Sequence, residues 1–358
     1  MKELLIQSSQ GAYPVRFFAD IPALLAEIAK VPRTLLLIDR NVSHAYGPVL
    51  AGLMGQVPTC EVHATEDEKT LEGCARVLSF MQQHNATRQT VLLVMGGGIV
   101  QDIATLCAHL YYRGVAWHYF PTTLLGMADS CIGAKASINF HKFKNQLGVF
   151  HSPASIGICP GFLATLPDTE VRSGWGEIVK LHLAGSRAHF ARVAAVLNGE
   201  GWRSPVLDEL IFASLQVKQA VIEVDEFDNG IRRTLNYGHT FGHALEAITD
   251  HGIPHGLAVA WGMDLVNFLA LERGMLAPAD YDAVHRLLAA HFSWKLPGLV
   301  TAEQLINATK RDKKVRDGKL NLVLLRQPGQ LVIEPQDYDT GLATHLHTYL
   351  TKHSIVTW

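Results

Sequence analysis

The chain has 358 residues, 48% of them apolar and 18% charged, with a formal net charge of −2. That length and balance fit an ordinary globular protein of two domains. They supply no field for nucleic acid or an anionic membrane surface, and no apolar run approaches the roughly 18 residues that would span a bilayer, so neither is expected as a partner.

In chain order, the N-terminus (Met1-Lys-Glu-Leu-Leu-Ile) lacks the apolar core and cleavage site of a signal peptide. Five cysteines, an odd number without a Cys-x-x-Cys, argue against a disulfide framework and for a reducing cytoplasm. Thr34–Asp39 is a short apolar run closed by an acid, and helical spacing follows at Val49–Met54. Thr90–Met95 reads as a buried strand running into Gly96-Gly97-Gly98, with helical spacing over Ile103–Tyr112 and a strand over Trp117–Phe120, stopped by Pro121. Apolar strands alternating with helices predict an α/β domain with a parallel sheet covered on both faces. From about Pro167 helical periodicity dominates, over Glu170–Ala184, Ala188–Leu197, Leu207–Glu226, Thr240–Ile248, Leu257–Arg273 and Ala279–Phe292, with a small hairpin of Leu320–Leu325 and Leu331–Glu334 near the end. The expected domains are an α/β domain over 1–168 and a mainly helical one over 169–358.

Gly96-Gly97-Gly98-Ile-Val-Gln-Asp102 joins a strand to a helix, where glycines let a pyrophosphate approach the backbone and the helix N-terminus favours an anion. It is not G-x-G-x-x-G, so a plain tight turn fits as well. Asp39 suits a ribose hydroxyl or a helix cap. Asp129-Ser-Cys-Ile-Gly-Ala-Lys135, with Lys142-Phe-Lys144-Asn145, places three lysines and an amide in a loop of small residues, suited to phosphate or carboxylate. Interleaved Ile132, Ile138 and Leu147 argue against a merely solvated basic loop. Glu177-x-x-Lys180 lies one helical turn apart; a surface ion pair is the plain alternative, but the apolar flanks Trp175, Ile178, Val179 and Leu181 point to a cleft. The densest stretch is Arg232-x-x-x-Asn236-Tyr-Gly-His239-Thr-Phe-Gly-His243, followed by His255-Gly256. His239 and His243, four apart, share a helix face without the Glu of H-E-x-x-H. Glu177, His239 and His255 would form a zinc-type set of two histidines and a glutamate if their helices converge; spacing equally allows His243 in place of either histidine.

Taken in order, these segments resemble the 3-dehydroquinate synthase family of sugar-phosphate cyclases, together with Tyr112-Arg113-Gly114, Pro121-Thr-Thr-Leu-Leu125, Asp225-Glu226 and Asp312-Lys-Lys314. The resemblance implies an NAD-binding α/β domain, a helical metal domain and an active site in the cleft between them. It implies tightly held NAD, regenerated in each turnover, and Zn2+ (or Co2+) on Glu177, His239 and His255, with His243 in the substrate site. It places NAD contacts at Asp39, Asn41, Glu66, Lys69, Gly97, Gly98, Asp102, Thr122, Thr123, Lys135, Lys144, Phe162 and Thr165. The implied substrate pocket comprises Asp129, Lys135, Lys144, Asn145, Lys180, Lys218, Arg232, Asn236, His243 and one or both of Lys313 and Lys314. Arg113 matches an arginine that reaches a neighbouring subunit's phosphate site, so a homodimer is expected.

The departures are Gln101 and Ala134, where the family usually has glycine, Phe143 in place of a glycine before Lys144, and Trp175 beside the metal glutamate. Relatives cyclise sedoheptulose 7-phosphate to valiolone-type products or glucose 6-phosphate to an inosose. The valiolone branch is expected to lose His243 and replace Asn145. Both are present here, which favours 3-deoxy-D-arabino-heptulosonate 7-phosphate and 3-dehydroquinate synthase activity. A metal- and NAD-dependent polyol dehydrogenase is a more distant alternative, and a catalytically silent scaffold is opposed by the complete set of polar residues.

Overall fold

The computed structural model describes residues 2–141, 143–250, 252–296, 298–310, 315–316 and 319–357, the side chains of Val315 and Arg316 excepted. The chain forms two units, Met1–Pro167 with Ile222–Phe227, and Asp168–Val221 with Asp228–Trp358.

The first unit carries β1 (Glu3–Ile6), β2 (Tyr13–Phe17), α1 (Ile21–Ile28), β3 (Thr34–Asp39), α2 (Arg40–Met54), β4 (Thr59–Val62), α3 (Leu71–Gln83), β5 (Val91–Gly96), α4 (Gly98–Leu110), β6 (Ala116–Pro121), β7 (Lys135–Phe140), β8 (Phe143–Phe150) and β9 (Ser155–Ile158). Seven strands form one sheet in the order β1-β2-β9-β6-β5-β3-β4. All neighbours run parallel except β1, which lies antiparallel to β2 at the edge. Leu35–Ile38 and Leu92–Met95 are buried on every side chain, as strands covered on both faces must be. The chain leaves β3 for β4 on one side and returns to β5 on the other. Strand order therefore reverses between β3 and β5, and the crevice at the carboxyl ends of those strands is where open α/β sheets bind ligands.

The basic segment expected to be a loop is instead the antiparallel β7–β8 hairpin, pairing Lys135 with Phe150 and Ile138 with Leu147. Alternation explains it: Ala136 and Ile138 are buried while Lys135 faces out. The interleaved apolar residues expected to be partly buried are thus the inward face of β7, and Lys135 lies on its open face.

The second unit carries α5 (Asp168–Gly185), α6 (Arg187–Gly199), α7 (Leu207–Ile222), α8 (His239–Ile248), α9 (His255–Glu272), α10 (Pro278–Phe292), β10 (Trp294–Lys295), α11 (Ala302–Lys310), β11 (Val315–Arg316), β12 (Lys319–Gln327), β13 (Gln330–Gln336), α12 (Thr340–Lys352) and β14 (Val356–Thr357). Every residue from Gly256 to Ala270 is buried, so α9 is the central helix, in contact with α5, α8, α10, α12 and β12. Helix α7 stops at Ile222 rather than at Glu226. Carboxylates at a helix C-terminus oppose the macrodipole, and here Glu223 accepts from the Gln7 amide (2.8 Å) while Glu226 accepts from the Ser8 hydroxyl (2.6 Å) and the Ser9 amide (2.9 Å). Ile222–Phe227 therefore groups with the first unit, although it falls within the sequence range expected for the helical domain.

Candidate active site

In the second unit the glycines of the motifs decide the geometry. A Cβ on Gly176 would overlap the Gly256 carbonyl, and one on Gly256 would overlap the Ser173 carbonyl. Helices α5 and α9 thus cross backbone to backbone, and Gly256 N–H donates to Ser173 Oγ at 2.9 Å. Across α9, Gly262 faces Gly238, and Gly238 adopts φ +80°, a left-handed turn that glycine takes without strain. The residues adjoining these glycines, Glu177, His239 and His255, are brought together as a result.

Glu177, 2% exposed, places Oε1 3.5 Å from His239 Nε2 and 3.2 Å from His255 Nε2, and Oε2 2.5 Å from Lys180 Nζ. The Glu177–Lys180 pair is therefore a buried pair and not a surface one. Among the described residues, ligand atoms of His239, His243 and His255 lie within 4.8 Å of one another, so geometry alone admits either histidine set that the spacing left open. Burial disfavours the His255 imidazolium, but the Glu177 and Glu246 carboxylates beside it outweigh this and push its pKa up to about 10. A buried carboxylate among imidazoles is a place that favours positive charge, and these nitrogen and oxygen donors fit a divalent cation. Lys218 and Arg232 are buried in the same unit. The Asn236 side-chain amide donates to the Arg233 carbonyl at 3.2 Å.

In the first unit, Asp39, the Gly96–Gly98 turn, Thr122 and Thr123 all sit at or just beyond the carboxyl ends of β3, β5 and β6. Asp39 caps α2, its Oδ1 accepting from Asn41 N at 2.8 Å, and burial raises its pKa. The cap reading of Asp39 is correct, and its position at the strand-order reversal also suits a ribose. A Cβ on Gly96 or Gly97 would press on Val100 or Thr123, whereas Gly98 faces open space with no side chain capping α4. Bare N–H groups beside open space suit a pyrophosphate.

Lys69 Nζ lies 2.7 Å from Asp102 Oδ2, and Ser137 N–H donates to Asp102 Oδ1 at 3.1 Å; burial nevertheless raises the Asp102 pKa. Burial opposes ionisation of Glu66 too, but the Asn139 amide (2.8 Å), Lys69 and Lys144 (3.5 Å) outweigh it and hold its carboxyl below the usual range. Asn139, absent from the sequence reading, also accepts from Asn145 N at 3.0 Å, so it joins Glu66 to Asn145. Tyr46 was missed as well. Its hydroxyl donates to the Phe162 carbonyl at 2.9 Å and bonds Thr165 Oγ1 at 3.1 Å.

Asp129 is buried, Lys135 lies 6.0 Å from the Phe150 ring, and Arg113 is exposed on a turn where Tyr112, Arg113 and Gly114 all have positive φ. Lys313 and Lys314 lie outside the described residues. Of the departures, Gln101 is a buried brace, its amide donating to the Ser130 carbonyl and accepting from the Ser130 hydroxyl, both at 2.8 Å. Trp175 is a core residue, its indole N–H donating to the Trp202 carbonyl at 2.8 Å. Phe143, 66% exposed, pairs with Phe140 near the hairpin turn.

Ala134 adopts φ +57°, which explains why glycine is usual there. Left-handed backbone costs an alanine about 1–2 kcal/mol. Ala134→Gly is therefore expected to raise the unfolding midpoint by about 2–4 °C, measured by thermal denaturation; a lowered midpoint would show that the methyl contributes more through packing.

The fold and site together define a class: a doubly wound α/β unit with a glycine turn at its strand-order reversal, joined in sequence to a helical unit that gathers three half-buried histidines around a buried glutamate. Within that class the chain belongs to the 3-dehydroquinate synthase family, whose N-terminal model matches residues 59–173 and whose C-terminal model matches 174–315. It is 34% identical over 347 residues to a 3-dehydroquinate synthase of Desulforamulus reducens, covering 93% of this chain and 96% of that one. A solved 2-epi-5-epi-valiolone synthase from Streptomyces hygroscopicus, with NAD+ and Zn2+ bound, is 29% identical at a TM-score of 0.83, covering 97% of this chain and 98% of that one. A 2-deoxy-scyllo-inosose synthase complexed with carbaglucose-6-phosphate, NAD+ and Co2+ shares the fold at a TM-score of 0.86 and 22% identity, covering 98% and 100%.

Proposed function

We propose that the chain is a phosphate-eliminating cyclase of the 3-dehydroquinate synthase type, acting on 3-deoxy-D-arabino-heptulosonate 7-phosphate. The observation that carries this reading is buried Glu177, which faces His239, His255 and Lys180 within 3.5 Å, in a chain of this family. The first unit is the proposed NAD-binding domain, using Asp39, Asn41, Glu66, Lys69, Gly97, Gly98, Asp102, Thr122, Thr123, Lys135, Lys144, Phe162 and Thr165. The second is the proposed metal domain, with Glu177, His239 and His255 holding Zn2+ or Co2+.

When bound, NAD would supply reversible hydride acceptance and the divalent ion a Lewis acid for the hydroxyl being oxidised. The chain's own residues do the rest. Lys135, Lys144 and Arg232 hold the anionic groups of the substrate, Arg as a fork and Lys as a point charge. Lys180 and Lys218 add buried positive charge. Asp129, Asn145 and Asn236 orient hydroxyls, and His243 holds or moves a proton at the phosphate or an adjacent hydroxyl. Lys313 or Lys314 joins this set. Presence of His243 and Asn145 favours the heptulosonate over the substrates of the other cyclases. Exposed Arg113 is proposed to reach a partner subunit's phosphate site in a homodimer, and five free cysteines support a cytoplasmic location.

Phosphate release is measured with the heptulosonate 7-phosphate, sedoheptulose 7-phosphate and glucose 6-phosphate, the cyclic product being identified by mass and NMR. Fastest release from the first, without net NADH, is expected. Preference for either other sugar phosphate would overturn the substrate, and net NADH from an unphosphorylated polyol without phosphate release would overturn the reaction class.

A further inference from the structure

Helix α8 presents His239, His243 and Glu246 at relative positions 0, 4 and 7, one face of a helix. His255, the first residue of α9, lies against that face. Its Nδ1 is 3.2 Å from Glu246 Oε1 and 3.4 Å from Oε2, while its Nε2 is 3.2 Å from Glu177 Oε1. His239 is held in the same sense by different means. Its Nδ1 lies 3.1 Å from the Tyr237 carbonyl and its Nε2 3.5 Å from Glu177 Oε1. Both imidazoles thus turn Nε2 toward one carboxylate and Nδ1 toward an acceptor.

A carbonyl can only accept, so His239 carries a proton on Nδ1, which makes Nε2 its ligand atom when a metal is bound. For His255 the same choice is made by a side chain. We infer that Glu246 is the positioning residue for His255, accepting Nδ1–H so that the Nε2 lone pair faces the metal position. This rests on the proposed metal set but adds a residue to it. Outer carboxylates of this kind fix the tautomer and ring orientation of a ligating histidine and raise its basicity. The two histidines therefore differ in sensitivity: the orienter of His239 is backbone and survives any side-chain substitution, whereas that of His255 does not.

The test uses the full-length protein stripped of metal by chelator dialysis, then titrated with Co2+, reading d–d absorption, and with Zn2+ against a chromophoric chelator. Glu246→Ala is expected to weaken metal binding about 10- to 100-fold and to change the Co2+ spectrum. Glu246→Gln, which keeps an acceptor oxygen, is expected to recover most of the spectrum and part of the affinity. Should Glu246→Ala fail to fold, Glu246→Gln decides alone, and a several-fold loss of affinity supports the assignment. His239→Ala is measured alongside. If it binds Co2+ like the parent, the metal reading itself fails. If it loses binding while both Glu246 variants keep the parent's affinity and spectrum, only the positioning role is overturned. Lowered apoprotein stability with unchanged metal affinity and spectrum would equally overturn that role, leaving Glu246 as a structural acid.

Discussion

Gly256→Ala is expected to weaken metal binding about 10- to 100-fold, the range of removing a supporting contact at a metal site, and to lower the stability of the second unit. Turnover should fall with the metal. The cause is steric. The new methyl would occupy the position of the Ser173 carbonyl, and backbone cannot rotate away as a side chain can. Overpacking costs about 1–3 kcal/mol and occasionally more, and the only relief is to move α9 off α5. That separates His255 from Glu177, now 3.2 Å apart. Gly176→Ala attacks the same contact from the other helix, through the Gly256 carbonyl, and should reproduce the defect. NAD binding, followed by fluorescence quenching, should persist in both variants. Normal metal titration by Gly256→Ala would show that the backbone contact does not position the site.

Glu177→Ala is expected to abolish turnover and to destabilise the fold. The side chain is 2% exposed and sits 2.5 Å from Lys180, itself nearly buried. Removing one partner of a buried ion pair typically costs about 3–5 kcal/mol, because the other charge stays desolvated. Replacing both with apolar residues of similar size often restores stability. The double variant Glu177→Leu with Lys180→Met is therefore expected to unfold in urea near the parent's midpoint while remaining inactive and metal-free. A stable Glu177→Ala, or an active double variant, would contradict the role given to the pair.

The strands that build the crevice were readable because they are uniform. Leu-Leu-Leu-Ile before Asp39 and Val-Leu-Leu-Val-Met before Gly96 are apolar on both faces, and their short length and flanking turn residues mark them as buried strands. The outer strands were not. Tyr13–Phe17 mixes proline and arginine with apolar residues, and Thr59–Val62 is four residues long at a sheet edge. Their pairing comes from distant partners, which no local window contains. The same reason hid the β7–β8 hairpin behind its lysines and the end of α7 behind an uninterrupted helical pattern.

By itself the sequence determined the residue types that can hold a cation, a phosphate and a nucleotide, because such chemistry demands particular side chains and leaves their spacing visible. It also marked the glycines 176, 238 and 256 without showing their purpose. Only the tertiary structure decided that these glycines let three helices meet backbone to backbone, that Glu177 and Lys180 are buried together, and that Asn139 and Tyr46 bond residues far from them in the chain. The physical reason is that a helix face or strand alternation is a short-range property. The crossing of α5, α8 and α9 depends on which backbones can approach within van der Waals contact, and that is settled only when the whole unit packs.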